Sequence, residues 1–163
     1  MKRGEGGFTL IEVMIAVAIM GIIMPVITMT TMTLVTNSQK AADHNIVLRQ
    51  VQNAGYWISR DVQMAENVTL TDPSGFPLTL DIPVDMDENN DIRVDYLFDG
   101  NKLERQVFDA SGMTSQILIA EHIHVADTIF STLDPETYKL TIKASKGEVV
   151  VETSYEVRKR LTG

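Results

Sequence analysis

Between Val13 and Val35 lie 23 consecutive residues with no Asp, Glu, Lys, Arg or His. That length matches the roughly 20 apolar residues a helix needs to cross a bilayer. The fold must therefore be organised around one membrane-spanning helix near the N-terminus. Glu12 stands at the head of this run, about one turn from Phe8. An acid costs about 2.5–3.5 kcal/mol at the bilayer centre and less near an interface, so its position calls for a partner. Cutting the chain after Gly7 would make one, because it removes Met1-Lys2-Arg3-Gly4-Glu5-Gly6-Gly7 and leaves Phe8 with a free cationic amine. Lys2 and Arg3 predict that the N-terminal end stays cytoplasmic while the rest is translocated.

Two simpler readings compete. An ordinary signal anchor could carry a Glu by chance. Ala16-Val17-Ala18 has the small-residue spacing of a signal-peptidase site, but a cut there leaves an apolar core of only Phe8 to Ile15, interrupted by Glu12. The apolar run also continues far past that point, which argues against a conventional cleaved signal.

Gly7-Phe8-Thr9-Leu10-Ile11-Glu12-Val13, behind a short basic leader and ahead of the apolar run, closely resembles the N-terminal signature of type IV prepilins and type II secretion pseudopilins. The resemblance implies cleavage between Gly7 and Phe8 by a prepilin peptidase and N-methylation of Phe8. It gives Glu12 a role in subunit docking. It further implies a single-pass inner-membrane protein with its head outside, later incorporated into a filament. The implied partners are sibling minor and major pilins or pseudopilins, the inner-membrane assembly platform and membrane lipid. Tyr96-Leu97-x-x-Gly100-Asn101-x-Leu103-x-Arg105, Ile117-Leu118-Ile119-Ala120-Glu121-x-Ile123, Ile58-Ser59-Arg60-Asp61-Val62-x-x-Ala65 and Thr153-Ser154-x-x-Val157-Arg158 resemble J-type minor pseudopilins and their minor-pilin relatives. That branch implies a place near the filament tip. Secretion, motility, adhesion and DNA-uptake filaments share these features.

The chain of 163 residues divides into a leader at 1–7, a membrane segment at 8–35, an amphipathic stalk at 36–67 and a head at 68–163. A head of about 100 residues supports one compact core. The net charge of −8 becomes −9 once Lys2, Arg3 and Glu5 leave with the leader. Such acidity argues against nucleic acid as a direct partner, since phosphate binding needs a basic face. With no cysteine there is neither a disulfide framework nor a thiolate nucleophile or ligand.

Past the membrane, Val47, Val51, Ala54, Ile58, Val62 and Ala65 recur at helical spacing and predict a narrow buried stripe. Lys40, Asp43, Arg49, Gln52, Arg60 and Gln63 fall on the other face. A helix continuous from Thr9 to Asn67 would be about 90 Å long at 1.5 Å per residue. Pro25 is expected to kink or break it near Gly21. The methionines at 14, 20, 24, 29 and 32 read as adaptable apolar filler. Tyr56 and Trp57 form a candidate docking surface on the exposed side of the stalk, although Trp57 could equally close the core.

The head reads as β-rich. Strands are expected at Phe76–Ile82, Ile92–Phe98, Leu103–Phe108, Gln116–Ala120, His124–Ser131, Tyr138–Ala144 and Val149–Val157. Asp99-Gly100-Asn101-Lys102 makes a hairpin turn and Lys146-Gly147 another. A long helix followed by a run of strands gives an α+β fold, with an antiparallel sheet packed on the stalk.

Asp85-Met86-Asp87-Glu88-Asn89-Asn90-Asp91 places oxygen ligands at alternate positions, as in the first part of an EF-hand-like calcium loop. Asp85, Asp87, Asn89 and Asp91 are the candidate ligands. Asn90 replaces the turn glycine and Tyr96 stands where the bidentate Glu belongs, which favours a solvated acidic turn. His122 and His124 are expected on one face of a strand, without a third metal ligand. No catalytic constellation is visible, so no enzyme is expected. A calcium-binding or interaction module outside any filament and a membrane-anchored hydrolase are the alternatives.

Overall fold

A computed structural model of the chain describes residues 7, 9–71, 73–84 and 91–160. The chain forms two compact units, Met1–Ala41 and Ala42–Gly163. Among the described residues one α-helix, α1, spans Leu10–Met64. Among the described residues eight strands follow: β1 (Asn67–Thr69), β2 (Leu78–Ile82), β3 (Ile92–Asp99), β4 (Lys102–Asp109), β5 (Gly112–Ala120), β6 (Ile129–Asp134), β7 (Thr137–Lys146) and β8 (Val149–Arg158). All pairings are antiparallel. The α+β architecture expected from the order of patterns is the one observed.

In the first unit every residue of α1 from Leu10 to Val35 is exposed. This apolar segment is long enough to cross a membrane. Its threonines fit that setting, because their hydroxyls are satisfied within the helix. Thr28, Thr30, Thr31 and Thr33 donate to the carbonyls of Met24, Val26, Ile27 and Met29, at 2.8–2.9 Å. Internal satisfaction is what a bilayer demands of polar groups. The helix does not break near Gly21, since α1 runs without interruption through Pro25. A proline removes one backbone hydrogen bond and crowds the carbonyl four residues earlier. Here that residue is Gly21, where even an added Cβ would meet nothing within 4 Å.

In the second unit the α1 stripe packs on the sheets as the periodicity requires. Val47, Val51, Ala54, Ile58 and Val62 are fully buried and Ala65 nearly so. Burial of an aliphatic side chain of this kind contributes about 1.5–3 kcal/mol. β1 to β5 form one sheet in sequence order, and β6 to β8 a second. Leu78, Leu80, Val94 and Tyr96 line the inner face of the first sheet, and Leu140, Ile142 and Ala144 that of the second. Every buried hydrophobic side chain among the described residues lies between Val47 and Val157, so this unit carries a complete core of its own.

The hairpin at Gly100-Asn101 forms as expected. Gly100 has φ +58°, which a glycine adopts without steric cost. Other expectations need correction. The segment expected as a strand from His124 instead makes a 3-10 turn at Val125–Asp127, and β6 begins only at Ile129. β5 starts four residues earlier than expected, at Gly112. The last hairpin turns at Gly147-Glu148 rather than at Lys146-Gly147. β1 was not foreseen, because three residues are too few to carry a pattern.

Candidate functional site

At the N-terminal end, Gly7 and Thr9 precede the helix and Leu10 opens it. Gly7 is exposed, and a Cβ added there would meet nothing within 4 Å. Phe8, and the leader from Met1 to Gly6, lie outside the described residues. Thr9 and Glu12 form a reciprocal cap. The Thr9 backbone N–H and hydroxyl donate to Glu12 Oε2 at 3.0 and 2.9 Å. In return the Glu12 N–H donates to Thr9 Oγ1 at 3.4 Å. Threonine followed three residues later by glutamate is the capping-box arrangement, which satisfies donors that the first turn leaves unpaired. In the uncut chain the Glu12 carboxylate therefore has a local partner, one the sequence reading did not supply.

In the head, one buried acid ties the stalk to the first sheet. Asp61 is on α1 and 1% exposed. Its Oδ2 accepts hydrogen bonds from Tyr96 Oη and from Arg105 Nε, both at 2.6 Å. Tyr96 and Arg105 face each other across β3 and β4 in register, so a single carboxylate clamps two neighbouring strands. The Arg105 side chain is 13% exposed. Burial, followed by the Asp61 charge, raises the Tyr96 hydroxyl far above the ordinary tyrosine range. Asp61 falls three residues after Ile58, at stripe spacing. That position was the signal of its burial.

Trp57 is half-buried and packed against the core. The guanidinium groups of Arg60 and Arg105 lie over its ring, 5.6 and 5.2 Å from the centroid. Tyr56 meets the same ring edge-on at 5.9 Å and is itself 60% exposed. Of the two aromatic candidates, Tyr56 is the outward one. It forms a ridge between two shallow grooves of about 430 and 440 Å³, the first including Arg49 and Asn53, the second Gly55, Ser59 and Arg60.

Of the calcium candidates, Asp85, Asp87 and Asn89 lie outside the described residues. Asp91 is half-buried immediately before β3 and borders a groove with Asp109 and Ser111. Among the described residues no group of three or more His, Asp or Glu could hold a metal ion. His122 and His124 do not share a strand face. They belong to the crossing segment before the 3-10 turn, where His122 has φ +63°. The backbone there is held against β7 by Ser145 N–H to His122 O at 2.9 Å and His124 N–H to Lys143 O at 2.8 Å.

The prokaryotic N-terminal methylation motif matches residues 2–24. Neither the curated proteins nor the solved structures contain a match to the chain. The motif and the long apolar helix behind it fit the type IV pilin and pseudopilin family and a single-pass inner-membrane anchor. The motif implies processing by a prepilin peptidase and assembly with other pilins.

Proposed function

We propose that this chain is the precursor of a filament subunit, cut between Gly7 and Phe8, methylated on the Phe8 amine and docked into the filament through Glu12. The observation that carries this reading is the Thr9–Glu12 cap at the head of the uncharged Val13–Val35 run, inside the matched motif. The cap begins the helix at Leu10 and leaves Gly7 exposed ahead of it. A glycine there admits close approach to the backbone. After cleavage the new amine of Phe8, on the same chain or an adjacent one, becomes the charged partner of Glu12. Pairing offsets the desolvation of both groups in an apolar filament core. The N-terminus is cytoplasmic and the head lies outside the membrane.

Within the family we assign the chain to the minor subunits, acting near the tip. Support comes from the head patterns around Tyr96, Arg105 and Asp61, three residues that also form the buried clamp. Co-expression with a prepilin peptidase, followed by mass spectrometry of the N-terminus, tests the processing. Methylated Phe8 is expected. An N-terminal Met1, or a cut after Ala18, would overturn it. Copy number in purified filaments tests the branch, and abundance equal to the main shaft subunit would refute a tip role.

A further inference from the structure

The charge of this protein is unevenly distributed along the chain. Residues 66–121, which contain the whole first sheet, carry twelve Asp and Glu against three Lys and Arg, a net −9. Residues 122–163 carry six of each sign, and residues 42–65 carry two of each. In that last stretch both acids are engaged, Asp43 with Lys146 at 3.5 Å and Asp61 with Arg105 at 2.6 Å. Both bases, Arg49 and Arg60, are exposed and have no acidic partner among the described residues. They stand eleven residues apart, three turns of helix and about 16 Å, with Tyr56 between them on the same face. The result is a cationic stripe with an aromatic centre on a head whose first-sheet half is acidic.

We infer that this stripe docks an acidic surface of a sibling subunit. The inference rests on the filament-subunit reading above and names the partner of its exposed stalk face. Opposite potentials raise the encounter rate and reject like-charged partners. Tyr56, an amphipathic ring flanked by two grooves, supplies the apolar anchor that the charges alone lack. A second copy of this chain also presents an acidic sheet. However, a contact between a stripe and a sheet of identical copies is heterologous, closing into a ring or running on as an open filament, and neither suits a subunit placed singly at the tip. The occupant is therefore a different subunit whose stripe-facing surface is acidic.

The test uses residues 42–163, which contain the complete core, mixed with the purified heads of sibling pilin-like subunits. Binding to a sibling head is expected, with amide protection centred on Arg49–Arg60. It should weaken about tenfold or more in Arg49→Glu/Arg60→Glu. It should also weaken as salt shortens the Debye length from about 10 Å at 0.1 M to about 3 Å at 1 M. Arg49→Glu alone, at a side chain with no acidic partner to lose, should give a smaller loss with unchanged thermal melting. A sibling complex that ignores both reversals, or protects only β1 to β5, would overturn the stripe. Self-association through the stripe would overturn the choice of partner. Failure of the filament reading itself would appear separately, as an uncut precursor that never enters filaments.

Discussion

Tyr96 Oη donates a 2.6 Å hydrogen bond to Asp61 Oδ2, a contact that fixes where the stalk helix meets the first sheet. The same oxygen receives Arg105 Nε, so helix, β3 and β4 share one acceptor. Removing the acid leaves Arg105 without its charge partner and the Tyr96 hydroxyl without an acceptor. Asp61→Ala should cost about 3–5 kcal/mol, the range for breaking a buried pair. Tyr96→Phe removes one bond to a charged group and should cost about 1.5–3 kcal/mol. Chemical denaturation of residues 42–163 measures both, and equal costs would show that Arg105 contributes nothing.

The same hydroxyl sets an alkaline limit. Its folded-state pKa is raised, first by burial and then by the Asp61 charge. The unfolded chain therefore releases this proton first, near the ordinary value of 10.0. Stability from this group is full below that pH and declines as pH rises above it. A melting series from pH 8 to 12 should show the decline, and Tyr96→Phe should flatten it. An unchanged slope in the variant would exclude Tyr96 as the cause.

Gly55 is the one position in the stalk where adding a methyl group should destabilise rather than help. In an exposed helix interior Gly→Ala gains about 1 kcal/mol. Here a Cβ would overlap the Tyr155 ring, whose aromatic carbons already pack against the Gly55 backbone. Overpacking typically costs about 1–3 kcal/mol, and Gly55→Ala should lower thermal stability by that order. Tyr155→Leu in the same chain should recover part of the loss. A more stable Gly55→Ala single variant would refute the packing argument.

Glu12 has two separable roles, cap and charge. Glutamine also completes a capping box, so Glu12→Gln keeps the helix start and deletes only the charge. Cleavage and head stability should survive in Glu12→Ala and Glu12→Gln alike, while both proteins fail to enter filaments. Immunoblots of sheared filaments provide the measurement. Normal incorporation of Glu12→Gln would mean that the cap, not the charge pair, is what docking needs.

Replacing Gly7 with a bulky residue such as Leu should leave the precursor uncut without altering the head. The unprocessed form migrates more slowly on a gel and keeps Met1. Efficient cutting of Gly7→Leu would remove the steric argument for glycine at that place.

The stalk stripe was legible because burial on a helix repeats every 3.6 residues, and Val47, Val51, Ala54, Ile58, Val62 and Ala65 keep that period into the core. The β3–β4 hairpin was legible because Gly100-Asn101 carries its own turn chemistry. The start of β6 was not. Val125 and Ile129 suit a strand, yet the chain there takes a 3-10 turn, with the Thr128 N–H donating to Val125 O at 3.3 Å.

The apolar segment and the Thr9–Glu12 cap at its head rest on residues within a few positions of one another, so local order alone determined them. Division of the strands into two sheets was decided by which edges found partners. The role of Asp61 was decided by Tyr96 and Arg105, 35 and 44 residues further along the chain. A carboxylate at stripe spacing announces that it must be paired. Only the tertiary structure could supply the partners, because the hydrogen bonds that make its burial tolerable come from strands with no local relation to it.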